Sequence, residues 1–313
     1  GIVDEVIGIQ KSDRKSYKKA INQLRNQTID IIFCPHKSFR TALFVSSLKV
    51  RKTKVGSYRL WNFWAFQKRV LYPSHLPDAL RQLSLLREVS ESFRLKFDKE
   101  VGQGQWNNTE NKSENIDFTG KKIPSFLKMA WPSESKSEIL SSADKETVVL
   151  VPGSVWNTKR WTLEGYQTLA KRFVSEGWNV LLMGSKEEHE LCEQVRKISP
   201  KIVNIAGQTT FKESLGLLQK ANLLISNDSG SMHLGAIADI PTVAIFGPTT
   251  LEIGYRPWSD KAIVMQKDLE CRPCGKHGHK ECPIGTHACM KNISSDEVYE
   301  VAKKLYQFQK IIP

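Results

Sequence analysis

At 313 residues, with 40% hydrophobic and 25% charged side chains, the chain is long enough for two domains with a core each. Its composition is that of a soluble globular protein. No run approaches the ~18 apolar residues of a membrane-spanning helix. Lys and Arg outnumber Asp and Glu by 46 to 33. A surplus this basic favours polyanionic partners (nucleic acid, anionic lipid or phosphorylated substrates) without choosing among them. The stretch Gly1-Ile2-Val3-Asp4-Glu5 has no basic segment leading into an apolar core, so a cytoplasmic protein is expected.

In chain order, Asp30-Ile31-Ile32-Phe33-Cys34 reads as a strand and Phe39 to Leu48 as a helix. Lys54-Val55-Gly56 can open another strand, and Asp78 to Val89 is amphipathic, with Leu80 and Leu83 on one face. Between them, Trp61, Phe63, Trp64 and Phe66 with Lys68 and Arg69 make a basic-aromatic stretch. It suits a lipid or membrane surface, and equally a partly buried helix. Residues 99–146 are polar and read as a linker region.

From Thr147 the pattern sharpens. Thr147-Val148-Val149-Leu150-Val151 is a β-branched run without charge, typical of a strand buried on both faces. A helix follows Thr162 as N-cap and closes at Gly177; Trp178 to Met183 is the next strand. Strands ending near Ile205, over Leu223-Leu224-Ile225 and over Thr242 to Phe246 alternate with helices over Phe211 to Leu218 and Ser231 to Ala238. Short loops between alternating elements require crossover connections, hence a parallel sheet and a Rossmann-like domain. Ser294 and Glu297 have capping-box spacing ahead of a final helix.

Ligands of such sheets sit at the carboxyl ends of the strands, where helix N-termini favour anions. Three loops there carry suitable groups. In Pro152 to Trp161, Gly153 allows close approach, Ser154 and Thr158 can donate, and Lys159 and Arg160 bring charge; the alternative is a solvated loop with packed tryptophans. In Asn227 to His233, backbone N–H groups open a helix with His233 in its first turn. Gly184-Ser185-Lys186-Glu187-Glu188 offers a carboxylate for ribose hydroxyls, or only acidic residues placed for the helix dipole. Phe246-Gly247-Pro248-Thr249 is by itself a turn. There is no P-loop and no G-x-G-x-x-G, and no two aspartates lie two apart, so an Asp-x-Asp metal clamp is excluded.

These loops, in this order from about Val148 to Leu305, resemble those of the ADP-heptose:lipopolysaccharide heptosyltransferases, glycosyltransferase family 9. The shared features are Pro-Gly-Ser before Lys159-Arg160-Trp161, Gly184 with its acidic helix, Gly207-Gln208-Thr209-Thr210, Ser226 to Leu234, and Phe246-Gly247-Pro248-Thr249. The stretch Cys271 to Cys289 resembles the second-heptose subgroup in particular. The resemblance implies an α/β fold of GT-B type, two Rossmann-like domains facing across a cleft. It implies an acceptor-binding domain over 1–143, an ADP-sugar donor domain over 144–293, and a helix over 294–313 able to pack back on the first domain. It implies an inverting, metal-independent transfer of heptose from ADP-heptose to a lipopolysaccharide core sugar at the inner face of the anionic inner membrane, by a monomer needing no cofactor.

By position, the resemblance has Ser154 and Lys159 hold the diphosphate with Ser229, Gly230 and His233. It places Glu188 beside the ribose beyond Gly184, Thr209 near the adenine, and Asp228 against the heptose or diphosphate. His36, Lys37 and Arg40 are read as acceptor-binding. The family's base, an aspartate in a Gly-Asp loop, is expected some fifty residues of family sequence upstream, before Gly1, so no residue here is assigned that role. Cys271, Cys274, Cys282 and Cys289 could hold a structural zinc; reduced thiols, or disulfides in purified protein, are the expected state. Cys34 and Cys192 read as buried structural thiols. Two other readings stand beside the transferase: a family member that binds nucleotide without catalysis, and a nucleic-acid-binding protein, against which the dispersed basic residues and lack of a reading motif argue.

Overall fold

A computed structural model describes residues 4–10, 12–74, 76, 78–101 and 145–311. The chain divides into two compact units, Gly1–Asn108 and Thr109–Pro313. The expected linker over 99–146 falls, beyond Val101 and before Lys145, outside the described residues. Among the described residues no helix is long and apolar enough to cross a membrane.

The first unit holds helix α1 (Arg14–Arg25), strand β1 (Ile31–Cys34), α2 (Phe39–Ser46), β2 (Thr53–Ser57), β3 (Lys68–Val70), α3 (Asp78–Leu83) and α4 (Glu91–Val101). Its strands pair in parallel in the order β1-β2-β3. The amphipathic stretch 78–89 is helical as its spacing implies, but tightens into a 3-10 turn over Ser84–Glu88. The aromatic stretch is no helix: residues 58–67 form turns and coil leading into β3. Gly56 lies against the Phe66 ring, leaving no room for a Cβ and drawing Phe66 into the core.

The second unit is built from β4 (Thr147–Val151), α5 (Leu163–Ser175), β5 (Asn179–Leu182), α6 (His189–Arg196), β6 (Ile202–Asn204), α7 (Phe211–Lys220), β7 (Leu223–Asn227), α8 (Gly230–Ala238), β8 (Thr242–Ile245), β9 (Ala262–Met265), α9 (Ala288–Lys291) and α10 (Ser295–Ile311). Six parallel strands run in the order β6-β5-β4-β7-β8-β9. Side chains alternate between two faces, as the period of a strand requires. Val148 and Leu150 face α5, α6 and α10, whereas Val149 and Val151 face α7 and α8. Both faces are covered, which is why these strands read as continuous apolar runs.

The last helix begins with the expected capping box: Ser294 N–H donates to Glu297 at 2.8 Å and Glu297 N–H to the Ser294 hydroxyl at 3.2 Å. Its apolar stripe belongs to the core of the second unit. Val298, Ala302 and Leu305 are buried there, Tyr299 meets Phe173, and Tyr306 meets Trp178 edge-on. Two large ring pairs, with Phe173 of α5 and with Trp178 just before β5, make that docking more favourable than an aliphatic stripe alone.

Candidate functional site

In the second unit the strand order turns back between β4 and β7: the chain builds outward to β6 on one side and to β9 on the other. Loops leaving the carboxyl ends of these two central strands diverge to opposite faces and leave a crevice. The Pro152–Trp161 and Asp228–Gly230 loops both rise there.

A buried amide holds the two loops together. Asn227, at the end of β7 and wholly buried, donates to the carbonyls of Pro152 at 2.9 Å and Gly153 at 3.1 Å. Its oxygen accepts from Trp161 N–H at 2.9 Å and the Tyr166 hydroxyl at 3.2 Å. A buried polar group is tolerated only when its donors and acceptors are met, and this one is met by groups of the Pro152–Trp161 loop and by Tyr166 of α5. Burial also pushes the Tyr166 phenol well above its ordinary range, so it stays a donor.

Next to it, the Lys159 ammonium lies 2.7 Å from the Asp228 carboxylate, with the two side chains 8% and 3% exposed. The Thr249 hydroxyl, 1% exposed, donates to the same carboxylate oxygen. The spacing of the motifs gave no sign of Thr249 as a partner; its signal was only its place in the Gly-Pro-Thr turn after β8. One residue on, Ser229 caps α8, its hydroxyl accepting from Ser231 N–H at 3.3 Å. Gly230 is exposed and a Cβ there would meet nothing within 4 Å, so the helix N-terminus opens onto free space. His233 lies one turn in, half-buried.

Glu188 reaches this crevice from the β5 side. Its carboxylate accepts from Ser185 N–H at 2.8 Å, closing a capping box. The same carboxyl lies against Gly153: a Cβ on Gly153 would come within 2.1 Å of it. The Gly184 carbonyl accepts from Gly207 N–H at 2.9 Å, and Glu188 packs above Gly184. Thr209 pairs with the Ser214 hydroxyl at 2.8 Å beside the start of α7. Ser154 is buried, and its carbonyl accepts from Arg160 Nε at 2.8 Å. The structure thus brings Ser154, Lys159, Glu188 and Asp228 around one crevice, with Ser229, Gly230 and His233 on the adjoining helix.

Thr158 does not face a ligand as read from the sequence. Its hydroxyl donates to the His279 carbonyl at 2.8 Å and accepts from His279 N–H at 2.7 Å. His287 Nε2 donates to the Thr158 carbonyl at 2.8 Å, and His277 stacks on Trp156 with planes 10° apart. The cysteine-bearing segment is therefore a clasp over the β4 loop. Gly278 makes it possible: its φ is +80° and a Cβ would crowd the Thr158 hydroxyl at 2.9 Å. Arg272 fastens the other side, donating to the carbonyls of Gly247, Lys267 and Thr249 and to Gln266. Neither Arg272 nor the clasp was visible as such, because the spacing of the cysteines drew attention to the thiols.

All four thiols of the clasp are free, and among the described residues no three His, Cys, Asp or Glu side chains are grouped to hold a metal ion. Cys282 is the acidic one: His287 N–H donates to its sulfur at 3.3 Å and holds its pKa below the usual thiol value. Burial raises Cys289 to about 11 and Cys192 to about 12. Cys34 and Cys192 are buried, as their apolar settings imply.

The three acceptor-side residues stand in the first unit, around the start of α2. His36 is exposed, with Nδ1 2.7 Å from the Thr41 hydroxyl. The Lys37 ammonium sits over the Tyr72 ring, 2.6 Å from its centroid; partial burial lowers its pKa, which Tyr72 partly offsets. Arg40 is exposed on the first turn of α2.

Known proteins resemble this chain in sequence and fold. A Campylobacter jejuni lipooligosaccharide heptosyltransferase 2 is 34% identical over 186 residues, which are 57% of this chain and 57% of that protein. The match thus spans little more than half the length of this relative. Among solved structures, a glycosyl transferase family 9 protein from Veillonella parvula superposes with a TM-score of 0.69 at 20% identity, covering 98% of this chain and 83% of the other. The E. coli ADP-heptose lps heptosyltransferase II does so with a TM-score of 0.64 at 21% identity, over 94% and 81%. These likenesses show the α/β, GT-B fold with its parallel sheets. The model of glycosyltransferase family 9 (heptosyltransferase) matches residues 17–284. The chain belongs to that family.

Proposed function

We propose that the second unit binds ADP-heptose and that the protein transfers the heptose, with inversion, to a sugar of the lipopolysaccharide inner core. One observation carries the reading: a buried Lys159–Asp228 pair stands beside an open helix N-terminus at the point where the sheet reverses order. An anionic diphosphate is the ligand this favours. Backbone N–H groups at Ser229 and Gly230 meet its oxygens, the helix dipole favours its charge, and His233 and Lys159 add donors. The Glu188 carboxylate takes the ribose hydroxyls, Thr209 lies towards the adenine, Ser154 donates from below, and Asp228 orients Lys159 against the diphosphate or the sugar.

In the transfer, an acceptor hydroxyl oxygen bonds to the anomeric carbon and gives up its proton to a base. The bond from that carbon to the diphosphate oxygen breaks, and ADP leaves with the electron pair. Donors fixed where this charge builds lower the barrier without reorganising, and no metal is needed in this reading. His36, Lys37 and Arg40 are proposed to meet the anionic acceptor.

Calorimetric titration with ADP, GDP and UDP tests the donor site. Saturable ADP binding, with the other nucleotides at least ~10-fold weaker and ADP weakened by Glu188→Ala, is the expected result. A folded sample that gives no heat with ADP overturns the donor site. Preference for UDP or GDP keeps the transferase and removes the heptose donor.

A further inference from the structure

The first unit carries a surface that donor and acceptor chemistry do not use. Residues 31–77 hold nine of the chain's 46 Lys and Arg and none of its 33 Asp and Glu. The same stretch supplies nine of the sixteen large hydrophobic side chains that stand exposed among the described residues. In this stretch apolar exposure and a run of basic residues without acidic ones therefore coincide.

The exposed side chains form one surface, not scattered points. Phe39, on the first turn of α2, lies 5.4 Å from the Trp61 ring and 5.8 Å from the Trp64 ring, joining helix to loop. Leu60 is 81% and Phe63 65% exposed on that loop, and Leu43 is exposed one turn along α2. Beneath them the loop is pinned. The buried Asn62 side chain donates to the Ser57 carbonyl at 2.8 Å and accepts from Arg59 N–H at 3.1 Å. Ala65 and Phe66 are buried under it. The rings are thus held outward by a built scaffold. Arg59, Lys68 and Arg69, on the same loop and the strand after it, are exposed.

Aromatic rings and cations occur together where a protein meets the headgroup layer of a bilayer: the rings enter the acyl boundary and the cations meet phosphates. Nucleic acid would also suit rings and cations, but its bases need flat partners. The most exposed members here include Leu60 and, after β3, Leu71, which have no π-face to offer. We propose that Phe39, Leu43, Leu60, Trp61, Phe63 and Trp64, with the cations around them, dock the protein on an anionic lipid bilayer. This deepens the functional reading, since an acceptor anchored in lipid would be met at that surface, yet it can be tested without any sugar.

The test is co-sedimentation of the full chain with vesicles of phosphatidylcholine alone or with about a third phosphatidylglycerol, alongside tryptophan emission. Expected are binding to the anionic vesicles with a blue shift, and at least ~10-fold weaker binding for Leu60→Ser/Phe63→Ser, which loses two apolar insertions. Both side chains are exposed, and an unchanged circular dichroism spectrum of the variant establishes that it folds. Wild-type binding that the variant shares, or no binding to anionic vesicles at low salt, overturns the proposal. So does capture of a single-stranded oligonucleotide in preference to vesicles. ADP titration of the same sample separates the two readings: vesicle binding without ADP binding keeps this surface and removes the donor site.

Discussion

The two units treat charge in opposite ways. In the second, Lys159 and Asp228 are buried as a pair, tied to Thr249, and enclosed by a loop that has little secondary structure of its own. In the first, Arg51, Lys52 and Arg59 stand exposed with no acidic residue anywhere in the surrounding stretch 31–77. A buried pair must be satisfied before any ligand arrives, because an unpaired charge in the interior is too costly. Exposed cations need no such partner; water and salt hold them. The contrast teaches where pre-organisation lies: the second unit carries its site in fixed internal geometry, the first in the composition of a surface.

The largest expected effect follows from that difference. Lys159→Met leaves the Asp228 carboxylate buried with only Thr249 as partner, which should cost about 3–5 kcal/mol in denaturant unfolding. Asp228→Asn in the same background should recover more than half of it, since the stranded charge is removed. Arg40→Ala in the first unit should change stability by less than ~0.5 kcal/mol. Equal effects of Lys159→Met and Arg40→Ala would erase the distinction between the units. Asn227→Ala comes next: it strands Trp161 N–H and two loop carbonyls, and about 2 kcal/mol should be lost. A stability unchanged by that substitution would show that the two loops hold their places without the amide.

Much of the second unit could be read directly because both of its sheet faces are covered. Burial on both sides makes β4, β7 and β8 uncharged runs, and Thr162, Gly177 and the Ser294–Glu297 pair mark helix ends by local chemistry. Strand β9 escaped notice: at the sheet edge its residues are only half-buried, and Lys261 and Lys267 flank it like a loop. In the first unit α1 and α4 were missed because their charged faces hide short apolar stripes, with Ala20 alone buried in α1. Within the site, loop residues could be nominated from their position after strands. Their partners could not, since Asn227 to Pro152, Thr158 to His279 and Arg272 to Gly247 bridge distant segments that only the fold brings together.

A smaller effect sharpens the picture of the crevice. Gly153→Ala pushes a Cβ into the Glu188 carboxyl, which can swing away because it is the end of a flexible side chain. Stability should fall by less than ~1 kcal/mol, while ADP binding weakens as much as in Glu188→Ala. The double variant should bind no worse than either single one, because both remove the same contact. Additive losses would mean that Glu188 holds nucleotide by a route that Gly153 does not touch.

The smallest effect compares the surface of one unit with the core of the other. Cys282 is half-exposed and its thiol is pulled down by the His287 N–H, so at any pH below its ordinary value it carries more thiolate than a free cysteine. Cys34, in the core of the first unit, is pushed up by burial, and Cys289 and Cys192 to about 11 and about 12. The thiolate is the nucleophile. Iodoacetamide near neutral pH, read by peptide mass spectrometry, should therefore label Cys282 first and leave Cys34, Cys192 and Cys289 until the protein unfolds. Early labelling of Cys34 would mean that the first unit opens readily. The fixed scaffold under its exposed rings would then fail, and with it the view that the two units differ in how they present charge, not in how firmly they are folded.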